Sequence, residues 1–330
     1  MLSNKTKTEL RTSKNLLAFS AGGDSTALLF LLLENKIPFD IAIVDYGIRE
    51  QSKEEVAYAK ALAKEYNFTC KVYKAKNITN NFEATARKIR YDFFESLIKE
   101  YGYDTLLTAH HLGDRFEWML MQFCKGAGCV ELAGMQEKTL RDGYTLCRPL
   151  LHVDKQELLE YLHVNKITYF EDESNSDTKY TRNTFRHDYA RPLLKKYLQG
   201  IKKSFEYIDT DVATLIQEVE VKKINALAYF KKTSTKRNDI YMIDKYLKSL
   251  NHLMSAEEKK LLQAEQATVI GRKYIVATIS DYIFIAPYLR AESMPKSFKE
   301  KMRLLHVEPK LRAYLLTDPE AVAFLSLLLA

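Results

Sequence analysis

Cysteine is scarce in this sequence, and what there is comes unpaired. The four thiols among 330 residues, Cys70, Cys124, Cys129 and Cys147, form no CxxC. That argues against a disulfide framework, a zinc ribbon or a dithiol redox pair, and the four read as reduced, buried thiols of a cytosolic protein. Long apolar runs are missing too. The longest, Thr26 to Leu33 and Ala321 to Ala330, fall short of the ~20 residues a membrane helix needs. The first fourteen residues, rich in Lys, Thr and Ser, hold none of the apolar core of a secretion signal, so no membrane partner is expected. Internal repeats and low-complexity segments are absent as well. With 46% hydrophobic and 28% charged residues, the chain can bury a sizeable core, which excludes disorder as its main state. Its length fits two or three domains.

The net charge is +7, from 50 Lys and Arg against 43 Asp and Glu. Before Gly200 the balance is 29 to 27 and after it 21 to 16, so most of the excess sits in the shorter C-terminal part. A modest basic excess suits a nucleic-acid partner, although many soluble enzymes carry as much.

The first part alternates short apolar runs with amphipathic stretches. Strands are expected at Asn15–Phe19, Phe39–Val44, Thr69–Tyr73 and Asp104–Ala109, with helices at Thr26–Glu34, Ser52–Tyr66, Asn81–Tyr101 and His111–Cys124. Such alternation predicts βαβ crossovers and a doubly wound α/β fold with a parallel sheet covered on both faces. Ligands of these sheets lie beyond the carboxyl ends of the strands, which singles out the residues after Phe19, Val44 and Ala109. Further on, Asp154 and Glu157 form a capping-box pattern at the start of a helix. A polar stretch, Glu171 to Arg186, reads as an ordered loop. From His187 the pattern is helical to about Leu250, and alternation returns at Thr268–Val276 and Tyr282–Ile285. Two domains are expected, residues 1–200 and 201–330, the second mostly helical with a small strand pair.

The strongest chemical signal is Ser20-Ala21-Gly22-Gly23-Asp24-Ser25, between a strand and a helix. Glycines let a backbone approach phosphate closely, and the helix start adds N–H donors and partial positive charge. Ser20 and Ser25 can add hydroxyl donors, and Asp24 can hold magnesium on the phosphates. A Walker-type GxxxxGK[ST] loop and a GxGxxG dinucleotide loop are both absent. Read by itself the hexapeptide is either a phosphate site or a capped polar turn. Asp114 and Glu117, i and i+3 at a helix start on the ligand edge, point the same way. They either grip an ammonium group and take a proton from it or suit the helix dipole. His110 reads as a nucleotide contact or a packed histidine, and Arg90 and Arg182 by themselves as surface charges.

The hexapeptide resembles the SGGxDS loop of the N-type ATP pyrophosphatases, the PP-loop, HUP-like enzymes that split ATP into AMP and pyrophosphate, with Ala21 in place of the first glycine. Ile43–Arg49 with Ser52 and Glu55, the Glu83–Tyr91 stretch and Leu107–Glu117 running into Lys125–Gly128 resemble blocks of the tRNA(Ile)-lysidine synthases. So do Arg148-Pro149-Leu150-Leu151 and Asp172–Asn183. Tyr46 stands where that family has His, and Gly113 where it often has Asp. The resemblance, confined to Ser20–Asn183, implies ATP and Mg2+ as co-substrate and cofactor, and L-lysine and tRNA(Ile) with a CAU anticodon as substrates. It implies ATP binding by Ser20 to Ser25 and His110, lysine held by Asp114 and Glu117, and Asp24, Arg90 and Arg182 stabilising charge during reaction. The basic pairs Lys202-Lys203, Lys222-Lys223, Lys231-Lys232 and Lys236-Arg237 are then candidates for tRNA phosphates, or else solvated helix faces. The alternatives are a tRNA thiolation enzyme of the same fold, which would need paired cysteines, and a nucleotide-binding RNA adaptor without turnover.

Overall fold

The computed structural model describes residues 1–47, 51–75, 82–171, 181–291 and 293–329. It divides into two compact units, Met1–Thr210 and Asp211–Ala330. Asn81, Ile48-Arg49 and Asp172–Tyr180, all used in the sequence reading, lie outside the described residues.

The first unit opens with α1 (Asn4–Thr12) and β1 (Asn15–Ala18), then α2 (Gly23–Glu34), β2 (Phe39–Asp45), α3 (Gln51–Tyr66) and β3 (Cys70–Lys74). Next come α4 (Phe82–Tyr101), β4 (Thr105–Leu107), α5 (Leu112–Phe123), α6 (Cys129–Ala133) and the hairpin β5 (Lys138–Arg141) and β6 (Tyr144–Cys147). Then follow α7 (Lys155–Val164), α8 (Thr181–Thr184), a π-helical turn (Phe185–Ala190) and α9 (Arg191–Leu215). The strand order is β3-β2-β1-β4-β6-β5, with every neighbouring pair parallel except β5 and β6. This is the doubly wound α/β fold expected. The order reverses between β1 and β4, so the crevice beyond their carboxyl ends is the switch point where such sheets take ligands.

Side chains of β1 alternate between two cores. Leu17 joins Leu28, Leu32, Ile41 and Leu158 on one face, while Leu16 joins Ala42, Phe94, Leu97, Leu106 and Leu146 on the other. Burial on both faces is why the strand reads as an unbroken apolar run. The α2 helix begins three residues earlier than its apolar pattern, at Gly23, because its first turn is the polar loop itself. The free N–H groups of that turn therefore face the switch point.

Two expectations were incomplete. The hairpin β5–β6 was not anticipated, although the Asp142-Gly143 turn between its strands, with Gly143 at φ +81°, is a hairpin signal. The expected strand pair, β10 (Tyr274–Ile279) and β11 (Tyr282–Pro287), belongs to a five-stranded antiparallel sheet with β7 (Lys222–Ile224), β8 (Leu227–Lys231) and β9 (Ala267–Ile270), ordered β7-β8-β11-β10-β9. Strands β7 and β8 sit where a continuous helix was read. Asn225, at φ +51°, turns the chain between them, and short strands of mixed burial give little period-2 signal. Helices α10 (Lys236–Ser249) and α11 (Ala256–Ala264) cover one face of this sheet, and α12 (Lys296–Leu304), α13 (Pro309–Leu316) and α14 (Pro319–Leu328) the other. The Asp154–Glu157 capping box is only half formed. Asp154 caps α7 by accepting from the Gln156 N–H (3.1 Å), while Glu157 pairs with Lys202.

Helix α5 is tied down by Arg115, 1% exposed. Its Nε donates to the Ala133 carbonyl (3.0 Å), its Nη1 and Nη2 grip Asp209 of α9, and its guanidinium lies 4.2 Å over the Phe205 ring. A buried guanidinium stripped of its carboxylate is costly, less so where the acid is 31% exposed. Asp209→Ala is therefore expected to destabilise the protein by about 2–3 kcal/mol, read as a lower midpoint in urea unfolding with an unchanged slope.

Candidate active site

The loop Ser20–Ser25 is held from below. Ser25, buried, accepts from the Ser20 N–H (3.2 Å), sits 3.1 Å from Ser20 Oγ and donates to the Gly22 carbonyl (3.0 Å). Ser20 itself is exposed at the crevice. Ala21 lies in the left-handed region, φ +59°, at a cost of roughly 1 kcal/mol for a residue with a Cβ. Its carbonyl accepts from Phe170 N–H (3.0 Å) and Thr26 Oγ1 (3.2 Å), and its methyl group is fully buried. These interactions offset the strain and explain how alanine occupies a glycine position. At Gly23 a Cβ would meet Leu159 and Tyr169 at 3.3 Å, so α7 and the segment after it press directly on the loop.

The second half of the site starts α5. His111 caps the helix: its Nδ1 accepts the Gly113 N–H (3.0 Å), and its own N–H donates to Asp114 Oδ2 (3.1 Å). With Nδ1 an acceptor, the neutral ring carries its proton on Nε2. That atom stands 3.7 Å from Asp24 Oδ2 and 3.6 Å from Asp114 Oδ2. One buried imidazole thus lies between the phosphate-type loop and the acid pair. The sequence-predicted Asp24, Asp114 and Glu117 are brought together at the carboxyl ends of β1 and β4.

Both acids are in contact with arginines. Arg182 Nη2 donates to Asp114 (2.8 Å) and its Nε to Glu117 (3.2 Å); Arg186 Nε donates to Glu117 Oε1 (2.6 Å). Arg182 was expected in a loop; it lies on α8, and the π-helical turn that follows aims Arg186 at the same acids. Burial alone raises a carboxyl's pKa, but His111, His110 and Arg182 outweigh it and hold Asp114 well below the usual carboxylate range. Burial likewise opposes the Arg186 charge, and Glu117 and Asp114 restore it.

His110 diverges from His111 and sits 2.9 Å from Thr108 Oγ1. Burial pushes its pKa down to about 4, with Asp114 pulling it up and Arg148, Arg182 and Arg87 pushing further down. Arg90 is exposed and lies beside the Tyr46 hydroxyl at the end of β2, apart from the acid pair. Tyr46 donates to the Ala86 carbonyl (3.0 Å), taking a packing role.

Magnesium fits at Asp24. Its Oδ1 is sealed from solvent and has no hydrogen-bond partner among the described residues, and its Oδ2 lies 3.7 Å from His111 Nε2 and 3.6 Å from the Lys155 Nζ. Among the described residues no three His, Cys, Asp or Glu gather around a metal, so Asp24 would share the ion with phosphate oxygens and water.

Sequence reasoning missed Arg186 and Lys155, and quoted Arg148 in a family block without giving it a role. The i, i+4 spacing of Arg182 and Arg186 was an available signal. Lys155 carried none, because its partner is distant in sequence. Arg148 is buried, with Nη1 donating to Gln136 O (2.7 Å) and Thr139 Oγ1 (3.0 Å).

A loop that offers helix-start N–H groups to an anion, joined to a buried acid pair at the switch point of a doubly wound sheet, defines a class before any comparison. The PP-loop domain family model matches residues 2–193. A solved U34-tRNA thiolase from Methanococcus maripaludis aligns with TM-score 0.51 at 19% identity, covering 66% of this chain and 80% of that one, which bears on the fold alone. The tRNA(Ile)-lysidine synthase of Wolinella succinogenes is 44% identical over 306 residues, 92% of this chain and 93% of its own length. That of Helicobacter pylori is 40% identical over 311 residues, 94% and 91% of the two chains. The chain belongs to the tRNA(Ile)-lysidine synthase family.

Two outcomes follow from this geometry. A Cβ at position 113 would stand 2.7 Å from His111 Cε1, so Gly113→Ala must expel the imidazole from its cap. The expected loss is about 1–3 kcal/mol in stability, seen in thermal melts, together with reduced turnover. For His110, the unfolded chain takes a proton below about pH 6.5 while the folded protein stays neutral to about 4, so stability is full above pH 6.5 and is lost as pH falls. His110→Gln should flatten the decline between pH 6.5 and 4.5, by at most about 3 kcal/mol, in urea midpoints taken across that range.

Proposed function

We propose that this chain is an ATP-dependent ligase that joins the ε-amine of L-lysine to C2 of the wobble cytidine in the CAU anticodon of tRNA(Ile). The observation that carries the reading is the buried His111 shared by Asp24 of the loop and Asp114 of the acid pair. A nucleotide's phosphates and an amine are thereby served by one site.

In the first step the cytosine O2 attacks the α-phosphorus of ATP. The bond to the bridging oxygen breaks, and pyrophosphate leaves. Ser20, Ser25 and the N–H groups that open α2 receive the phosphates, and the sheet-end arginines, Arg90 included, offset the charge that builds on them. Magnesium at Asp24 would supply Lewis-acid neutralisation of the same charge. The step makes chemical sense because a carbonyl-type oxygen leaves poorly until it is phosphorylated.

In the second step the lysine ammonium gives up a proton, to Glu117 or to solvent, the free amine attacks C2, the C2–O bond breaks and AMP leaves. Asp114 and Glu117 receive the ammonium. Asp114, held low by the two histidines, Arg182 and the His111 N–H, is a poor proton acceptor; its work is to bind and aim the amine. Arg182 and Arg186 satisfy the acids in the absence of lysine. Lysine therefore exchanges with guanidinium groups instead of entering an uncompensated acidic pit, which favours a group able to displace a charged donor over a neutral one. The tRNA contacts are assigned to the basic residues beyond Gly200. Some are already committed, Lys202 to Glu157, Lys203 to Glu206 and Lys232 to Asp281.

The thiolation alternative finds little support. All four cysteines are among the described residues and, contrary to the expectation of four buried thiols, only Cys147 is buried, Cys70 and Cys129 being half-buried and Cys124 exposed on the turn after α5. Burial pushes the Cys147 thiol up to about 12 and raises Cys70 as well.

Incubation with ATP, radiolabelled lysine and total bacterial tRNA should leave base-stable label on tRNA and release AMP; AMP without labelled tRNA would contradict the assignment. Asp114→Asn, which keeps a cap acceptor, and Glu117→Gln should each raise the lysine KM by about 10–100-fold, the worth of one charge-assisted contact. ATP-dependent pyrophosphate release in the first step should survive both substitutions.

A further inference from the structure

The loop of this protein has no lysine of its own, yet one reaches it from elsewhere. Lys155 is the first residue of α7, and its Nζ lies 3.6 Å from Asp24 Oδ2. Its backbone is fixed on three sides. Asp154 caps the helix, the Val153 carbonyl accepts from Leu112 N–H at the start of α5 (3.0 Å), and Leu159 leaves no room for more than a hydrogen at Gly23 without displacement. The start of α7 is therefore set against both halves of the site. The ammonium itself is not fixed: the side chain is 40% exposed, and 3.6 Å is an ion-pair distance longer than a hydrogen bond.

The other cations nearby are engaged. Arg182 and Arg186 hold the acid pair, Arg148 is anchored to Gln136 and Thr139, and Arg90 lies beside Tyr46. Among the described residues, Lys155 is the cation that pairs with the loop and can turn.

We infer that Lys155 binds the β- and γ-phosphates of ATP, doing for this loop what a Walker lysine does from within its own. In the nucleotide-free protein it balances Asp24. Asp24 would hold magnesium and so need the lysine less, and the Lys155 ammonium, turned to the outer phosphates, donates to the pyrophosphate oxygens as the bond from the α-phosphorus to the bridging oxygen breaks. A compact ammonium on a flexible stem suits this transfer between two anionic partners. The inference rests on the proposed binding of ATP at this loop.

The test is calorimetric titration of the full chain and of Lys155→Met and Lys155→Arg with ATP, inorganic pyrophosphate and AMP, in magnesium. Lys155→Met should weaken ATP and pyrophosphate by about tenfold or more and leave AMP within about twofold, while Lys155→Arg should keep ATP within about threefold. Unaltered ATP affinity in Lys155→Met, or an equal loss for AMP, would overturn the assignment. Failure of the parent protein to bind either nucleotide would instead sink the reading on which it rests. Thermal melts of both variants, expected to match the parent, separate these results from misfolding.

Discussion

One imidazole sets the geometry of this protein's chemistry. His111 is at once the cap of α5 and the spacer between two carboxylates from distant parts of the chain, Asp24 and Asp114. Its orientation depends on a backbone N–H, that of Gly113, and on the absence of a side chain there. Buried acids repel unless something positive or polar is placed between them. Here the protein uses a histidine whose other nitrogen is already satisfied, so the ring has one way to sit.

The same economy governs the rest of the site. Asp114 and Glu117 are among its most buried charges, and each is compensated by guanidinium groups delivered from α8 and the π-helical turn. Arg182 and Arg186 stand four residues apart across the junction of α8 and the π-helical turn, a spacing that puts both on one target, and π-helical turns recur at functional sites. Uncompensated, this acid pair would cost several kcal/mol to bury. Compensated, it can be folded and stable. The loop shows a related balance: Ala21 carries backbone strain, and two hydrogen bonds to its carbonyl hold it there.

Much of this was legible in the sequence because the relevant signals are local. The alternation of strands and helices, the polar hexapeptide after the first strand and the i, i+3 acids all lie within short windows, and the fold puts them at one sheet edge as the topology rule requires. What was not legible depends on distant partners. Lys155 belongs to the site only because α7 packs on Gly23. Glu157, which reads as a capping-box partner, is drawn away by Lys202. The glycine at 113 looked like a departure from the family pattern and turns out to be a steric requirement of its neighbour two residues earlier. In the second unit, β7 is three largely exposed residues and β8, five residues long, is buried on both faces, so neither alternates, and a five-stranded sheet reads as a strand pair among helices.

The central claim is that the phosphate-binding loop and the acid pair form a single site. A crystal structure with magnesium, a non-hydrolysable ATP analogue and L-lysine tests it most directly. The account predicts the triphosphate against Ser20–Ser25 and the lysine ε-nitrogen within about 3 Å of both Asp114 and Glu117, with Arg182 or Arg186 displaced from them. Lysine bound elsewhere, with both arginines still seated on the acids while the nucleotide occupies the loop, would contradict it.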